Sequence, residues 1–504
     1  MNHIEIAQAY RRHLPAGVLH TFRIDALDRL GVPVVTVRLT QDDGTTFEGI
    51  GYGATAEEAM VGALGELSEE AHCERALRDM PRVVGSHVEL LRQRGERGVA
   101  DPLTLCLPAG SSYLPEQPLV WVAATRVATG EPVLVPEEFA ADSSRQLRCR
   151  GRASMMPVVG PPLIPPATPL VTPITNGLGA GTSFAQALVH GLLELLQRDG
   201  NGILFRALDQ GVLLDLPDDI PASTQALLAK FQAAGIEVMP KFATDEFGIA
   251  NLYCVGRERD GYEPTASIML TGCGEAAHPD RGQALDKALC EFAASRVRKA
   301  FAHGPAVLAE RVAPPNYVAQ FMARSGAAAK SSDPRALNAM REWSRASSAD
   351  LRHWLADTVH AVRSHKAFDT LPCADVPSGH VRSKLVLDAV LGQGFDVLYV
   401  DMSPPGAPLA TVKVIVPGLE VETMSYARIG ERNARKLLQR DTGLVGFGEC
   451  TGQSLPIRLT PEAIGRLGGV PWFDIGRATQ IVGPLYPLYR EPEAHHLAQS
   501  ESQP

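Results

Sequence analysis

The chain has 504 residues and a formal net charge of −9, with a pI near 5.9. That length allows a large buried core and predicts more than one domain, while the acidic balance speaks against a general binder of nucleic acid or anionic membrane. No apolar run reaches a membrane span, the start MNHIEIAQAYRRHLP holds no signal-peptide core, and the 8 cysteines never form C-x-x-C; we therefore expect a cytoplasmic protein without a zinc knuckle or disulfide framework.

After a short amphipathic start, LDRLGVPVVTVRL reads as a turn feeding a β-branched strand, with a hairpin at Asp42–Gly44 and a second strand toward Gly51. A helix, TAEEAMVGALGELSEEA, follows at once. Strands return in LVWVAATRV and PVLVP, and the prolines of MPVVGPPLIPPATPLVTP mark a connecting segment that cannot join a central sheet or helix. The next stretch, Thr175 to Arg198, is a glycine loop, a cap and a helix that carries Glu194 among leucines. Beyond it the helix STQALLAKFQAAG alternates with strand candidates IEVMPK, GIANLYCVG and TASIMLTG, and Gly272 and Gly274 introduce another helix, DRGQALDKALCEFAASR. Residues 305–380 are polar and alanine-rich, so helices are expected there with a mobile stretch near SGAAAKSSDP; His353, His360 and His365 do not share one helix face. KLVLDAVLGQG, FDVLYVDMS and ATVKVIVPGLE close the α/β pattern, and Arg428, Arg432 and Arg435 form a basic stripe. Sheet alternating with helix through short links predicts a mixed α/β (α+β) fold.

Three of these helices share a pattern. Thr55 with Glu58, Ser183 with Gln186 and Asp280 with Gln283 have the spacing of a capping box, and eleven residues past each cap stands a glutamate: Glu66, Glu194 and Glu291. The first two units are offset by 128 residues (Thr55 to Ser183, Glu66 to Glu194), the first and third by 225 (Thr55 to Asp280, Glu66 to Glu291). A glycine loop entering a helix presents free N–H groups and a positive dipole end to phosphate. Acids at i and i+3, as in Glu66 with Glu69, share a face and suit a divalent cation held against that phosphate; Glu194 with Gln197 has the same spacing.

These residues resemble the YcaO family, ATP-dependent enzymes that activate peptide backbone amides, over roughly residues 15 to 420. ALGELSEE resembles the family's S-x-x-x-E-x-x-E-R motif and TNGLGAGTSFAQALVHGLLELLQRD its N-G-L-A-A-G…E-L-x-E-R-D signature. ALCEFAASR resembles a third motif, usually E-A-A-Q-S-R, and VKVIVPGLE the late strand. The resemblance implies a YcaO-type fold, with three loop-helix units around a site for ATP and Mg2+. It implies Glu66, Glu69, Glu194, Gln197 and Glu291 as metal ligands, with Asn176, Thr182, Gln186, Arg198 and Arg296 at the nucleotide. It divides the chain into residues 1–136 with the first helix unit, the proline-rich 137–173, the core 174–420 and an extension 421–504.

The departures are Gly62 for serine, Glu70 for arginine, Gln197 for a second glutamate, Ala294 for glutamine, and Gln186 where glutamate is common. Glutamine keeps an oxygen ligand but drops a charge, so weaker magnesium binding is expected. The implied function is azoline formation on a ribosomally made precursor peptide. The alternatives are thioamide or amidine formation, or a peptide-binding subunit with an eroded ATP site. The motifs name no general base, although His190 stands one turn before Glu194. A separate leader-binding partner and a second copy of the chain are the protein partners considered, with no nucleic acid and no membrane.

Overall fold

The computed structural model describes residues 1–148, 155–157, 169–203, 208–321, 334–374 and 379–492. Each capped helix follows a short strand at the edge of its own sheet. Thr46–Tyr52 is the edge of a three-stranded antiparallel sheet with Val18–Arg23 and Val34–Thr40. Leu178–Gly181 is the edge of a seven-stranded sheet, paired with Ala410–Ile415. Gly274–His278 is the edge of a five-stranded sheet, paired with Ala250–Glu258.

The helices that follow are Ala56–Asp79, Phe184–Asn201 and Arg281–His303. Half of each expected capping box forms: the side chain of Thr55 accepts the N–H of Glu58, that of Ser183 accepts the N–H of Gln186, and that of Asp280 accepts those of Gly282 and Gln283, whereas Glu58 and Gln186 reach past the cap to the N–H of Ala54 and Thr182, and Gln283 donates to the Asp280 side chain. Helix and strand then touch backbone to backbone. A Cβ on Gly51 would stand 2.0 Å from the carbonyl oxygen of Ala59, and one on Gly179 2.1 Å from that of Ala187, both partners again 128 residues apart. Gly49 on Ala63 and Gly274 on Ala288 repeat the contact at 2.1 Å with the offset of 225. The repeat therefore includes the strand as well as the cap and acid, and only glycine permits the approach.

Apolar faces hold each helix down. The first buries Ala59, Ala63, Leu64 and Leu67; the second packs Ala187, Leu192 and Leu195 on Val412 and Val414; the third sets Ala284, Leu285, Ala288 and Phe292 against Leu252 and Cys254. The seven-stranded sheet draws on both sides of the proline-rich segment, with Arg82–Ser86, Pro118–Arg126 and Pro132–Pro136 from before it and Leu398–Asp401 and Ala410–Ile415 from after; contrary to expectation the segment itself joins the sheet, Met155–Pro157 pairing in parallel with Arg82–Ser86 at an edge, where a proline is tolerated. Residues beyond 421 add a small sheet in the order Val445–Gly446, Trp472–Asp474, Ser454–Pro456.

One strand expectation is corrected. TASIMLTG forms a buried 3-10 turn at Ser267–Thr271, closed by the Thr271 hydroxyl donating to the Ile268 carbonyl, and the strand is the following GEAAH. GEAAH has no β-branched residue; pairing with Ala250–Cys254 makes it extended. Much of the proline-rich segment, most of SGAAAKSSDP and the tail from 493 onward lie outside the described residues.

Because the Gly179 contact is to backbone, Gly179→Ala is expected to cost about 3 kcal/mol. Gly465, in the helix Pro461–Leu467 with nothing near its Cβ position, is the control: Gly465→Ala is expected to stabilise by up to about 1 kcal/mol. Denaturant unfolding of both variants measures the difference.

Candidate active site

The acids eleven residues past the caps turn back toward the edge strands. Glu66 Oε2 accepts the N–H of Ile50 at 2.9 Å, and Glu194 Oε2 accepts that of Gly177 at 2.8 Å. Glu291 Oε2 accepts the hydroxyl of Tyr52 at 2.8 Å, a bond from the first unit to the third. Glu69 Oε1 accepts the N–H of Ala180 at 2.8 Å, linking the first unit to the second. Asn201 Nδ2 donates to Glu275 Oε2 at 2.9 Å, with Gln197 Nε2 3.5 Å from the same oxygen, linking the second to the third. The three units thus close on one another in a ring.

Three of the carboxylates in this ring, Glu66, Glu69 and Glu291, are raised, each chiefly by burial and in part by a neighbouring acid. Desolvation by the surrounding helices pushes Glu66 up to about 7, with Glu291 and Glu194 adding to the effect against the Ile50 N–H and the Arg298 charge, although Glu66 stays among the exposed residues and Glu69 is the more enclosed of the two. Poor solvation and then Glu194 and Glu66 push Glu69 up to about 8. Glu291 is raised chiefly by burial as well. A hard divalent cation among these oxygens would reverse the repulsion, so the donor set fits magnesium. Among the described residues no three His, Cys, Asp or Glu side chains form a complete metal cluster.

Arg198 lies beside these acids, 3.8 Å from Glu194 and 3.6 Å from Glu275, and its Nε is buried without a hydrogen-bond partner. An anionic acceptor such as phosphate would satisfy it. Asn176 Nδ2 donates to Glu422 at 3.1 Å. Thr182 gives its hydroxyl and N–H to Gln186 Oε1, at 2.5 and 3.1 Å, so both side chains are engaged in closing the loop onto the helix. His190 Nε2 stands 3.9 Å from Glu69. Gln197 has a structural reason: a glutamate there would set a second carboxylate against Glu275, whereas the amide donates to it.

The geometry separates Arg296 from the other predicted residues. Its side chain is 1% exposed and is held by Asp28 at 2.7 Å and Glu258 at 2.8 Å. Arg298, two residues and about 200° further round the helix, pairs with Glu491 at 3.6 Å, and its charge acts less strongly on Glu291 and Glu66. Glu194, expected to be buried among leucines, keeps 26% of its side chain exposed toward this ring. Sequence reading missed Tyr52, Glu275, Arg298 and Glu422. Glu275 sits in an alanine-rich strand with no periodic signal, and only the 128 and 225 offsets, extended to the strands, bring its neighbourhood to the other units.

A folded-state pKa above the ordinary carboxylate value of 4.5 means that Glu66 and Glu69 contribute stability below about pH 4.5 that is lost as pH rises through about 7 to 8. The thermal midpoint of the protein without added nucleotide or magnesium is therefore expected to fall across that window. Glu69→Gln should flatten the fall, as scanning calorimetry at about pH 6 and about pH 9, on either side of the two values, would measure.

A family model described as YcaO cyclodehydratase, ATP- and Mg2+-binding, matches residues 50–420. An uncharacterized protein of Methanothermobacter thermautotrophicus is 29% identical over 82% of this chain and 93% of its own length. An uncharacterized protein in the tfuA 3' region of Rhizobium leguminosarum bv. trifolii is 24% identical over 84% of this chain and 89% of its own. Among solved structures, YcaO from Methanopyrus kandleri bound with AMPPCP and Mg2+ superposes with a TM-score of 0.52 at 20% identity, covering 85% of this chain and 92% of that one. A heterocyclase in complex with substrate and cofactor gives 0.59 at 17% identity, covering 85% of this chain, which spans only 53% of the heterocyclase. The fold is the one these structures share, and the match over most of the chain identifies it as a member of the YcaO family.

Proposed function

We propose that this chain is an ATP- and magnesium-dependent enzyme that activates backbone amides of a ribosomally made peptide, with azoline formation as the reaction and thioamide or amidine formation as the alternative outcomes. The observation that carries the reading is the ring of hydrogen-bonded carboxylates from three helix units with the unpartnered Arg198 Nε beside it. Glu66, Glu69, Glu194 and Glu291 would hold magnesium, with the Gln197 side chain as a neutral neighbour. Arg198 would meet phosphate, and Arg298 rather than Arg296 would be the arginine of the third helix that lends charge to the acids. ATP with magnesium supplies the phosphoryl group that turns an amide oxygen into a leaving group. The protein's own part is to position the amide, exclude water and move one proton, for which His190 beside Glu69 is in place. Residues 421–504 are an extension of the core, and a separate leader-binding protein and a second copy of the chain are proposed partners.

Gln197 and the inward-turned Arg296 favour a second reading, a peptide-binding subunit that holds nucleotide without turning it over. Incubating the full chain with ATP, magnesium and cysteine-, serine- and threonine-rich candidate peptides separates the two. The proposal expects phosphate release with loss of one water from the peptide mass, and at least about a hundredfold slower release in Glu194→Ala. A gain from exchanging oxygen for sulfur marks the thioamide outcome. Nucleotide binding with no phosphate release under any peptide selects the subunit, and absence of ATP binding contradicts both.

A further inference from the structure

We propose that Glu422, at the start of the extension, is a positioning residue that holds the Asn176 amide in one orientation for a bound nucleotide; this rests on the nucleotide site of the amide-activation reading. The family model matches residues 50–420, so Glu422 lies just beyond that match. Its contacts are nevertheless with the second unit. Glu422 Oε1 accepts Nδ2 of Asn176 at 3.1 Å, and Oε2 accepts the hydroxyl of Ser425 at 2.7 Å. With Met424 it lines a recess shared with Arg198, Asn201 and Glu275, beside the acid ring.

The segment that carries Glu422 is itself fixed. Glu420 is fully buried and accepts the N–H groups of Gly430 at 2.9 Å and Asn433 at 2.8 Å, while Thr423 Oγ1 accepts Nδ2 of Asn433 at 2.7 Å. Asp199, the neighbour of Arg198, accepts the N–H of Glu420 at 2.9 Å and Nη2 of Arg432 at 2.7 Å. The extension thus grips the last turn of the second unit helix and sets Glu422 against the loop that precedes it. A carboxylate only accepts hydrogen bonds, whereas an amide carries a donor at one end and an acceptor at the other. Glu422 therefore keeps the Asn176 nitrogen turned toward itself and the oxygen at the opposite end. Asn176 is 8% exposed, and the next residue, Gly177, gives its N–H to Glu194, so the amide stands at the edge of the ring. Without the carboxylate the amide is free to turn over, exchanging an acceptor for a donor where a ligand meets it. Fixing it beforehand removes that ordering cost from binding. Glu422 also helps to sustain the Arg198 charge against burial, after Glu275 and ahead of Glu194. Orientation and charge are separable, because a glutamine at 422 still offers an oxygen to Asn176 but no charge to Arg198.

The test is calorimetric titration of a non-hydrolysable ATP analogue, with magnesium, into the full chain and its variants, with the thermal midpoint of each recorded. Glu422→Ala is expected to weaken the analogue about tenfold, Glu422→Gln to bind within about threefold of the unaltered chain, and Ser425→Ala, which frees the carboxylate, to fall between them. Adding Asn176→Ala to Glu422→Ala should cost nothing further, since the one residue acts through the other. A lower midpoint for Glu422→Ala with unchanged affinity overturns the proposal, because the bond then serves folding alone. So does Glu422→Gln as weak as Glu422→Ala, which assigns Glu422 to the Arg198 charge, and so does an additive loss in the double variant. Should Glu422→Ala not fold, a tight Glu422→Gln with a weakened Ser425→Ala supports the proposal and an unweakened Ser425→Ala overturns it. Absence of binding by the unaltered chain is the distinct failure of the nucleotide site itself, and the proposal falls with it.

Discussion

Each unit depends on a glycine in its edge strand that lets the helix backbone approach within contact of the strand backbone. With Gly51, Gly179 and Gly274 in place, no side chain separates the two elements, and the helix is fixed in both depth and rotation. Rotation is the functional quantity. It decides which face of the helix turns toward the other units, and hence that Glu66, Glu194 and Glu291 find donors at Ile50, Gly177 and Tyr52. A side chain at any of those glycines would lift the helix and its acid away from the shared centre.

From that placement the electrostatics follow. Acids brought together in poorly solvated space push one another toward protonation, and the chain balances this in two ways. One is the set of backbone N–H groups that Glu66, Glu69 and Glu194 accept, and the other is an amide rather than a carboxylate at Gln197, opposite Glu275. The substitution that looks like erosion when read alone is thus half of a pair whose other member sits in the third unit's strand. Arg296 is the reverse case: a motif residue spent on Asp28 and Glu258 to anchor the third helix, while Arg298 supplies charge to the acids.

Much of this is legible in the amino-acid sequence. The caps, the acids and their common offsets stand there because a capping box and a helix period are local, and β-branched runs mark Val34–Thr40 and Pro118–Arg126 as strands. What escapes is set by distant partners. GEAAH is extended because its neighbour strand is, and TASIMLTG, rich in strand formers, is turned by its own Thr271. Glu275, Tyr52 and Glu422 become part of the site only when three sheets bring their edges together. The direction of Arg296 is equally hidden, since a motif fixes a residue's place along a helix and its acidic partners lie 268 and 38 residues away.

The central claim is that the three units form one site for a nucleotide completed by magnesium. Calorimetric titration of a non-hydrolysable ATP analogue into the full chain, with and without magnesium, tests it most directly. The account predicts binding at least about tenfold tighter with magnesium present, since the cation must cancel the repulsion among Glu66, Glu69, Glu194 and Glu291 before phosphate can approach. Equal affinity in the two conditions, or no binding in either, would contradict it.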